Sequence, residues 1–565
     1  MLTRRSTLLT LAAPLLVIAV PVAAHGAPTI RITLAPGTPN AAHQVPYLDV
    51  TIVADKVEAE AGGRLFRLPL VANTVVTSGK DVTGLSFRDD EGQIAVRVED
   101  LEEDGSNRTR FWLAQRAVSG TVTVSYRVMI DAAAPPLSLP QYEMRTERGG
   151  FSAAGNAFLI LPADETMRLA RVDWDFKGYG AGGIGVSSLG MGNATSREAL
   201  SVAKLASMYF MGGRPGTYRS DTDGFFAAWQ GVPPFEMTSL MDWASRLHRF
   251  YGSFFGYMPP SFGVFGRTNT RNPGSGIGLT DSFAFTFNDT STPEDLRSLL
   301  AHEMLHAWVN SLDDSMDAPD GLNRSWFGEG LAVHYQRLLP WRAGLISDAE
   351  FLADLNETAA RYYTNIKIGV PNHDIAAGFW RDTRIRVLPY DRGSLYFAAT
   401  DAAIRSASGS ARSIDDIVRK MLAERRAGRP MDEALYRKLL AAELGADGIA
   451  RLDAMLAGGV VLPPSDAFGP KFRRVEKPLR RFDLGFDPDS LLARPRIVRG
   501  LVAGSNAEMA GLREGDEILN PFSQDAMQGD QKAWLTLEIK RDGSMQTLRY
   551  QPRGEIIPAY QWELR

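Results

Sequence analysis

The sequence predicts a multidomain α+β protein, with an N-terminal antiparallel β domain, a mostly helical central domain and a C-terminal domain of short strands. Three observations carry this. At 565 residues the chain has room for three or four domains. Its composition, 44% hydrophobic and 23% charged, is that of a globular protein able to bury large cores. Its hydrophobic period is two up to about residue 235, changes to 3.6 from about 236 to 460, and returns to short strands in the last 85 or so residues.

Residues 1–24 read as an export signal. Arg4 and Arg5 precede an apolar run from Leu8 to Val22, and Val22 and Ala24 supply small residues for cleavage after Ala24. A membrane anchor is the rival reading, but roughly 15 residues broken by Pro14 and Pro21 are short for a bilayer span. The run "TRRSTLL" faintly resembles a twin-arginine signal. No later segment has 18 consecutive apolar residues, so no stable membrane insertion is expected after cleavage. A bacterial periplasmic or secreted location follows as the expectation. The net charge of -4 points away from nucleic acid and anionic membranes as partners. The chain has no cysteine, which excludes disulfides, thiolate metal ligands and a cysteine nucleophile. Any metal must therefore be held by nitrogen and oxygen.

Residues 25–235 form the expected β domain. In "TVTVSYRVMI", Val122, Val124, Tyr126, Val128 and Ile130 alternate with polar residues, as in a half-buried strand. "YLDVTIVA" and "QIAVRVED" repeat the pattern. In 236–460, helices are expected over Thr238–Phe250, Pro293–Ser311, Asp348–Asn365, Gly393–Arg405 and Ser413–Ala427. Ser413 and Asp416 form a capping box. Residues 461–480, Pro-rich and basic without a period, read as a linker, and 481–565 as a final β domain.

The helix starting at Thr292-Pro293 carries "HEMLH". His302 and His306, one turn apart, lie on one face and can reach one ion. Glu303 is offset by about 100° on the helix, beside such an ion rather than under it, which suits a base acting on metal-bound water. The competing reading is a packed helix with two satisfied histidines. Zinc needs a third protein ligand. Glu329, in "SWFGEGLAVHYQ", is the candidate, because Gly328 and Gly330 let its carboxylate approach closely. It also reads as an acid serving a helix N-terminus. His334, off the same face, is a rival ligand taken as structural. Tyr390, just ahead of a helix expected to start at Gly393, either aims its hydroxyl into a cleft or is a buried structural residue.

Taken in order, "HEMLHAW", "WFGEGLAVHY" and "PYDRGSLYFAATDAAIR" resemble the glycyl aminopeptidase-like metallopeptidases, gluzincins related to aminopeptidase N. The resemblance covers nearly the whole chain after residue 24. It implies a thermolysin-like catalytic domain and a C-terminal PDZ domain. It implies one Zn2+ per chain on His302, His306 and Glu329, with Glu303 as the acid–base residue and Tyr390 as the oxyanion donor. "VAGSNAEMAGLREGDEIL" looks like a PDZ core, and Leu484, Gly485 and Phe486 like its carboxylate-binding loop. Only about 14 residues follow Asn520 before the next strand, so this domain is either a peptide binder or degenerate and packed within the molecule. In the family, a Gly-rich edge strand ends in a Glu that grips the substrate's amine. The matching stretch here is "GSGIGLTDSFAF", with Gly278 on the strand, Thr280 in place of the acid and Asp281 beside it, on the opposite face if the strand continues. A peptide substrate is implied, cleaved from its N-terminus with small first residues such as Gly or Ala. An endopeptidase and a non-catalytic PDZ-type peptide-binding protein are the alternatives. A gluzincin that opens an epoxide is a further class, supported by no particular residue.

Overall fold

In the computed structural model the described residues are 26–73, 75–104, 107–131, 142–309, 311–314 and 320–565. The expected signal segment, 1–24, lies outside them. Among them, no helix is long and apolar enough to cross a membrane.

The first unit is built as the period of two predicts. Tyr47–Ala59 and Val118–Met129 pair antiparallel in a seven-stranded sheet. Val122, Val124, Tyr126 and Val128 point inward and are buried. They pack with Phe66 and Leu68 of Arg64–Ala72 and Trp112 of Asn107–Ala114, strands of a second sheet. The unit is not wholly antiparallel, since Thr29–Pro36 runs parallel to Arg168–Trp174. A third sheet holds Gly150–Ala154 and Tyr209–Gly213. Its Ala154, Tyr209 and Met211 pack on Phe226, Ala228 and Phe265 of the next unit. The short helix α1, Val202–Ala206, leads into this junction.

The central unit opens on a mixed five-stranded sheet. Its strands are β1 (Gly216–Arg219), β2 (Phe225–Trp229), β3 (Phe262–Thr268), β4 (Gly276–Leu279) and β5 (Ser282–Phe287), in the spatial order β1-β2-β3-β5-β4. The expected boundary at 235 thus falls inside one sheet, because β1 and β2 hydrogen-bond through β2 to β3. Short strands look alike in sequence whichever sheet they join, so their period carried no sign of the partner.

Behind the sheet lie α2 (Met237–Phe255), α3 (Pro293–Leu305), α4 (Ser325–Arg342), α5 (Asp348–Tyr363), α6 (Leu388–Ala407), α7 (Ile414–Arg426) and α8 (Glu433–Leu456). Helices α3, α5 and α7 start on capping boxes: Thr292 with Asp295, Ser347 with Glu350, and Ser413 with Asp416. Three expected limits move by five residues or more, the first being the end of α2, which runs on from Phe250 to Phe255. Helix α3 stops at Leu305, with His306 as its C-cap, because the chain turns to bury Trp308 and Val309 completely. Helix α6 starts at Leu388 rather than Gly393, because Pro389 suits a first helical turn.

The expected linker, 461–480, is in part a strand. Strand β6 (Phe472–Phe482) pairs antiparallel with β7 (Arg553–Leu564). Phe472 stacks on Phe351 at 5.1 Å, and Phe468 meets Trp562 edge-on at 5.4 Å. Its charged residues lie on a ribbon largely open to solvent, which hid the period from the sequence. The last domain has its own core, including Leu484, Phe486, Val498, Leu512 and Leu537. Its helix α9 (Gln524–Gly529) packs onto α5, where Gly529 lies so close to Glu357 that a side chain would collide.

Candidate metal centre and cleft

Three helices bring the site together. Helix α3 carries His302 and Glu303, and ends at His306. Helix α4 carries Glu329 in its second turn, 6% exposed and away from the helix start. Its position removes the reading of Glu329 as an acid serving the helix N-terminus. Helix α6 carries Tyr390 in its first turn. Helices α4 and α6 meet where Gly330 faces Gly393; a Cβ at Gly330 would stand 2.6 Å from the Gly393 Cα. Glycine at both positions lets the helices approach closely enough for Glu329 and Tyr390 to share one cleft. Gly393 therefore serves packing and does not start the helix.

His302 Nε2 lies 3.2 Å from Glu329 Oε2 and 3.4 Å from His306 Nε2, and His306 Nε2 lies 3.7 Å from Glu329 Oε2. A tetrahedral zinc with bonds of about 2.0–2.1 Å sets its ligands roughly 3.3–3.4 Å apart. Among the described residues this is the one group of three or more His, Asp or Glu whose ligand atoms all lie within 4.8 Å of one another.

Hydrogen bonding fixes the ring tautomers. Gln336 uses its amide nitrogen as donor to Ser298 Oγ (2.9 Å) and Asp354 Oδ2 (2.8 Å). Its Oε1 is therefore the acceptor, and His302 Nδ1 donates to it at 2.9 Å. His306 Nδ1 donates to the Val309 carbonyl at 3.1 Å. In the neutral rings both Nε2 atoms then present lone pairs to each other and to a carboxylate oxygen. Two imidazole nitrogens and a carboxylate oxygen converging at these distances favour a positive charge between them, whether a proton on His302 or a metal ion, and the donor set fits zinc.

The electrostatics agree. Burial opposes a charge on His302, but Glu329, Glu303 and Gln336 outweigh it and lift the imidazole to about 9. Burial opposes ionisation of Glu329, yet the facing His306 and His302 hold its pKa below the ordinary value. Burial, with Glu329 and Glu303 nearby, raises the Tyr390 phenol well above its ordinary value, so it remains protonated. Its ring stacks at 21° on His302, centroids 6.1 Å apart.

The cluster lines a cleft of about 990 Å³. The opposite wall is β4, an edge strand. Glu303 lies against it: a Cβ at Gly276 would stand 3.3 Å from Glu303 Oε1, and one at Gly278 3.8 Å from Oε2. Thr280 and Asp281 are not on the strand, as expected from sequence, but in the two-residue turn to β5, Leu279 pairing with Ser282. Asp281 has a φ of 47° and lines the cleft. The alternation that would have turned it away does not apply in a turn. Thr280 points at α1, its hydroxyl donating to the Lys204 carbonyl (2.7 Å) and its N–H to the Ser207 carbonyl (3.1 Å).

His334 lies outside the cluster, 2% exposed beside Tyr335 and Phe397, with its pKa well below the ordinary value through burial and nearby arginines. Leu484 and Phe486 are core residues. The Gly485 N–H is engaged by Asp483 Oδ1 at 2.8 Å and the Leu484 carbonyl accepts from Tyr550 at 2.8 Å, so the expected carboxylate loop is in part used internally. Sequence reasoning missed the support behind His302: Gln336, then Asp354, which ion-pairs with the buried Arg337. Gln336 stands seven residues after Glu329, two turns along the same face, and that spacing was a readable signal.

Residues 295–368 match the family model described as M61 glycyl aminopeptidase. No curated protein matches the chain. Among solved structures, an aminopeptidase N family protein from Idiomarina loihiensis is 14% identical with a TM-score of 0.65, over 95% of this chain and 98% of its own. An M1 zinc metallopeptidase from Deinococcus radiodurans, a mutant bound to a Tyr-Ser-Ala substrate, is 18% identical over 78% of this chain and 94% of its own, with a TM-score of 0.45. Leukotriene A4 hydrolase from Saccharomyces cerevisiae is 13% identical over 75% and 66%, with a TM-score of 0.44. The first of these shows the fold, that of an aminopeptidase N family protein across nearly all of both chains. The family match falls on the segment bearing His302, Glu303, His306 and Glu329, so it is the part of the chain holding the converging side chains that is similar to the M61 glycyl aminopeptidases.

Proposed function

We propose that the chain is an aminopeptidase of short peptides, with one zinc on His302, His306 and Glu329. The observation that supports this most is the convergence of three acceptor atoms beside Glu303 at an edge strand. When bound, zinc supplies Lewis-acid polarisation and a water of lowered pKa. Glu303 takes the proton of the attacking water and returns it to the leaving amine. Tyr390 donates a hydrogen bond to the substrate's carbonyl oxygen as negative charge develops there.

The peptide adds to β4 as an extra strand, held by main-chain hydrogen bonds. Helix α1 closes the Leu279 end of that edge through its two bonds to Thr280. Asp281 stands at the same end, with Glu198 and Lys204 nearby. A closed end bearing a carboxylate suits a free α-amine, which places the peptide antiparallel to β4. Phe262 lines the cleft at that end, the next residue's N–H donating to the Asp281 carbonyl at 3.0 Å, and favours a small first residue such as Gly or Ala. An endopeptidase would need substrate to continue past Thr280, where α1 stands. For the last domain, the contact of α9 with α5 favours packing within the molecule over capture of a separate peptide. Export on residues 1–24 is part of the same reading; N-terminal sequencing of protein from the culture tests it, and an intact Met1 would refute it.

The test is digestion of matched peptides with free and acetylated N-termini by zinc-loaded protein. Stepwise release of residues from free N-termini alone is expected. Internal cleavage of acetylated peptides would overturn the exopeptidase reading, and no cleavage of either would overturn both.

A further inference from the structure

A second cleft, of about 260 Å³, lies between the central unit and the last domain. Its lining carries Arg271, Arg381, Arg386 and Arg496 against a single acid, Asp525. Arg386 is committed to Asp525, at 2.9 Å. Among the described residues Arg271, Arg381 and Arg496 make no ion pair, and Arg496 Nε is buried without a hydrogen-bond partner. This is a concentrated positive potential on a chain of net charge -4. Apolar side chains share the cleft: Trp380, 72% exposed, with Leu492 and Phe522 from the last domain. Such a lining suits a carboxylate attached to an apolar group.

The two walls are tied together. Asp525 accepts from Thr383, and Gln528 Nε2 donates to Thr383 Oγ1 at 3.2 Å. The cleft is linked to the wall of the metal centre by a short run of chain. Arg271 and Asn272 sit in the loop that becomes β4, and Gly276 already faces Glu303. Four residues of chain from Asn272 to Gly276 span at most about 14 Å. On the opposite wall Arg386 stands four residues before Tyr390. The arginines thus lie beyond the open, N-terminal end of β4, and Asp281 at the closed end.

We propose that this junction cleft binds the free C-terminal carboxylate and apolar last side chain of a short peptide lying along β4. The proposal rests on the aminopeptidase reading and gives it a substrate class. An extended strand advances about 3.3 Å per residue, so roughly three or four residues past the scissile bond reach the arginines. Both ends of the groove then specify one polarity: amine at Asp281, carboxylate at Arg271, Arg381 and Arg496. The last domain serves as a wall that measures the length of the substrate.

The experiment compares pentapeptides ending in Leu, as free acids and as C-terminal amides, with zinc-loaded protein. Amidation is expected to lower kcat/KM at least tenfold, mainly through KM. The combined variant Arg271→Gln, Arg381→Gln, Arg496→Gln should bring that ratio close to one. The single variant Arg381→Gln, at an exposed position, should reduce it partway even if the triple variant does not fold. Equal rates for acid and amide in the parent, or an unchanged ratio in Arg381→Gln, would overturn the proposal. Calorimetric binding of the same peptides to the Glu303→Gln protein separates this from the catalytic reading. Tighter binding of the acid without any turnover by the parent would keep the subsite and reject the peptidase, whereas turnover with equal binding would do the reverse.

Discussion

The helix cluster and the β4–β5 hairpin face each other across the cleft but are built on different principles. In the cluster each imidazole is oriented by its Nδ1–H: His302 by Gln336, His306 by the Val309 carbonyl. Gln336 is in turn held by Ser298 and by Asp354, itself paired with Arg337. The hairpin offers mainly backbone, along an edge strand with Gly276 and Gly278, and one carboxylate in its turn. The chemistry thus rests on fixed side chains. On the proposed reading, recognition would rest on groups that every peptide shares, with charge at the ends supplying selectivity. Variants on the two walls should therefore fail differently.

The largest effect is expected on the helix side. Glu303→Gln should lower kcat by roughly 10²–10⁴-fold, the usual contribution of a positioned acid–base group. Zinc content measured by mass spectrometry should be unchanged, because Glu303 is not among the three converging ligands. A variant as active as the parent would remove the base assignment. Tyr390→Phe should cost about 10²–10³-fold in kcat, again with zinc retained, as for loss of one oxyanion donor. If KM rises and kcat stays, Tyr390 positions substrate and does not stabilise charge.

The same contrast explains what could be read from the sequence. His302, Glu303 and His306 were legible because helix geometry alone places positions i and i+4 together. Glu329 was legible as a carboxylate between two glycines, although the reason for Gly330 is the contact with Gly393, which only the packed helices reveal. The hairpin was misread. "GLTDS" looks like a strand that continues, but Asp281 takes a positive φ and the chain reverses there. Asp is among the residues that tolerate that conformation, so the turn signal was present but weak. The run 472–482 was hidden for another reason: in a two-stranded ribbon only a few residues, such as Phe472, need to be buried. The junction cleft was beyond sequence, because its arginines are drawn from four separate loops and elements.

A smaller effect is expected one layer behind the metal. Gln336→Leu removes the acceptor for His302 Nδ1–H and leaves Ser298 and Asp354 with one partner fewer. Partners of this kind typically contribute 10–100-fold to metal affinity. Competition with a chelator should show a loss in that range, and restoring zinc to saturation should recover much of the activity. Zinc affinity equal to the parent's would mean that α3 alone orients the ring.

The smallest effect is expected on the hairpin. Asp281→Asn should lower kcat/KM for peptides with a free N-terminus by about fivefold, an exposed ion pair at the groove's end contributing about 1 kcal/mol. Acidity sharpens the test. The protein packed around the Asp281 carboxylate raises its pKa, Lys204 opposing the rise and Glu198 adding to it. The negative charge exists above that raised pKa and is lost as pH falls through it, sooner than for an ordinary aspartate. In the parent, KM for free-amine peptides should therefore climb on the acid side, and Asp281→Asn should flatten that limb while leaving the zinc content alone. A limb of the same shape in both proteins would place the amine elsewhere and leave α1 alone to close the groove.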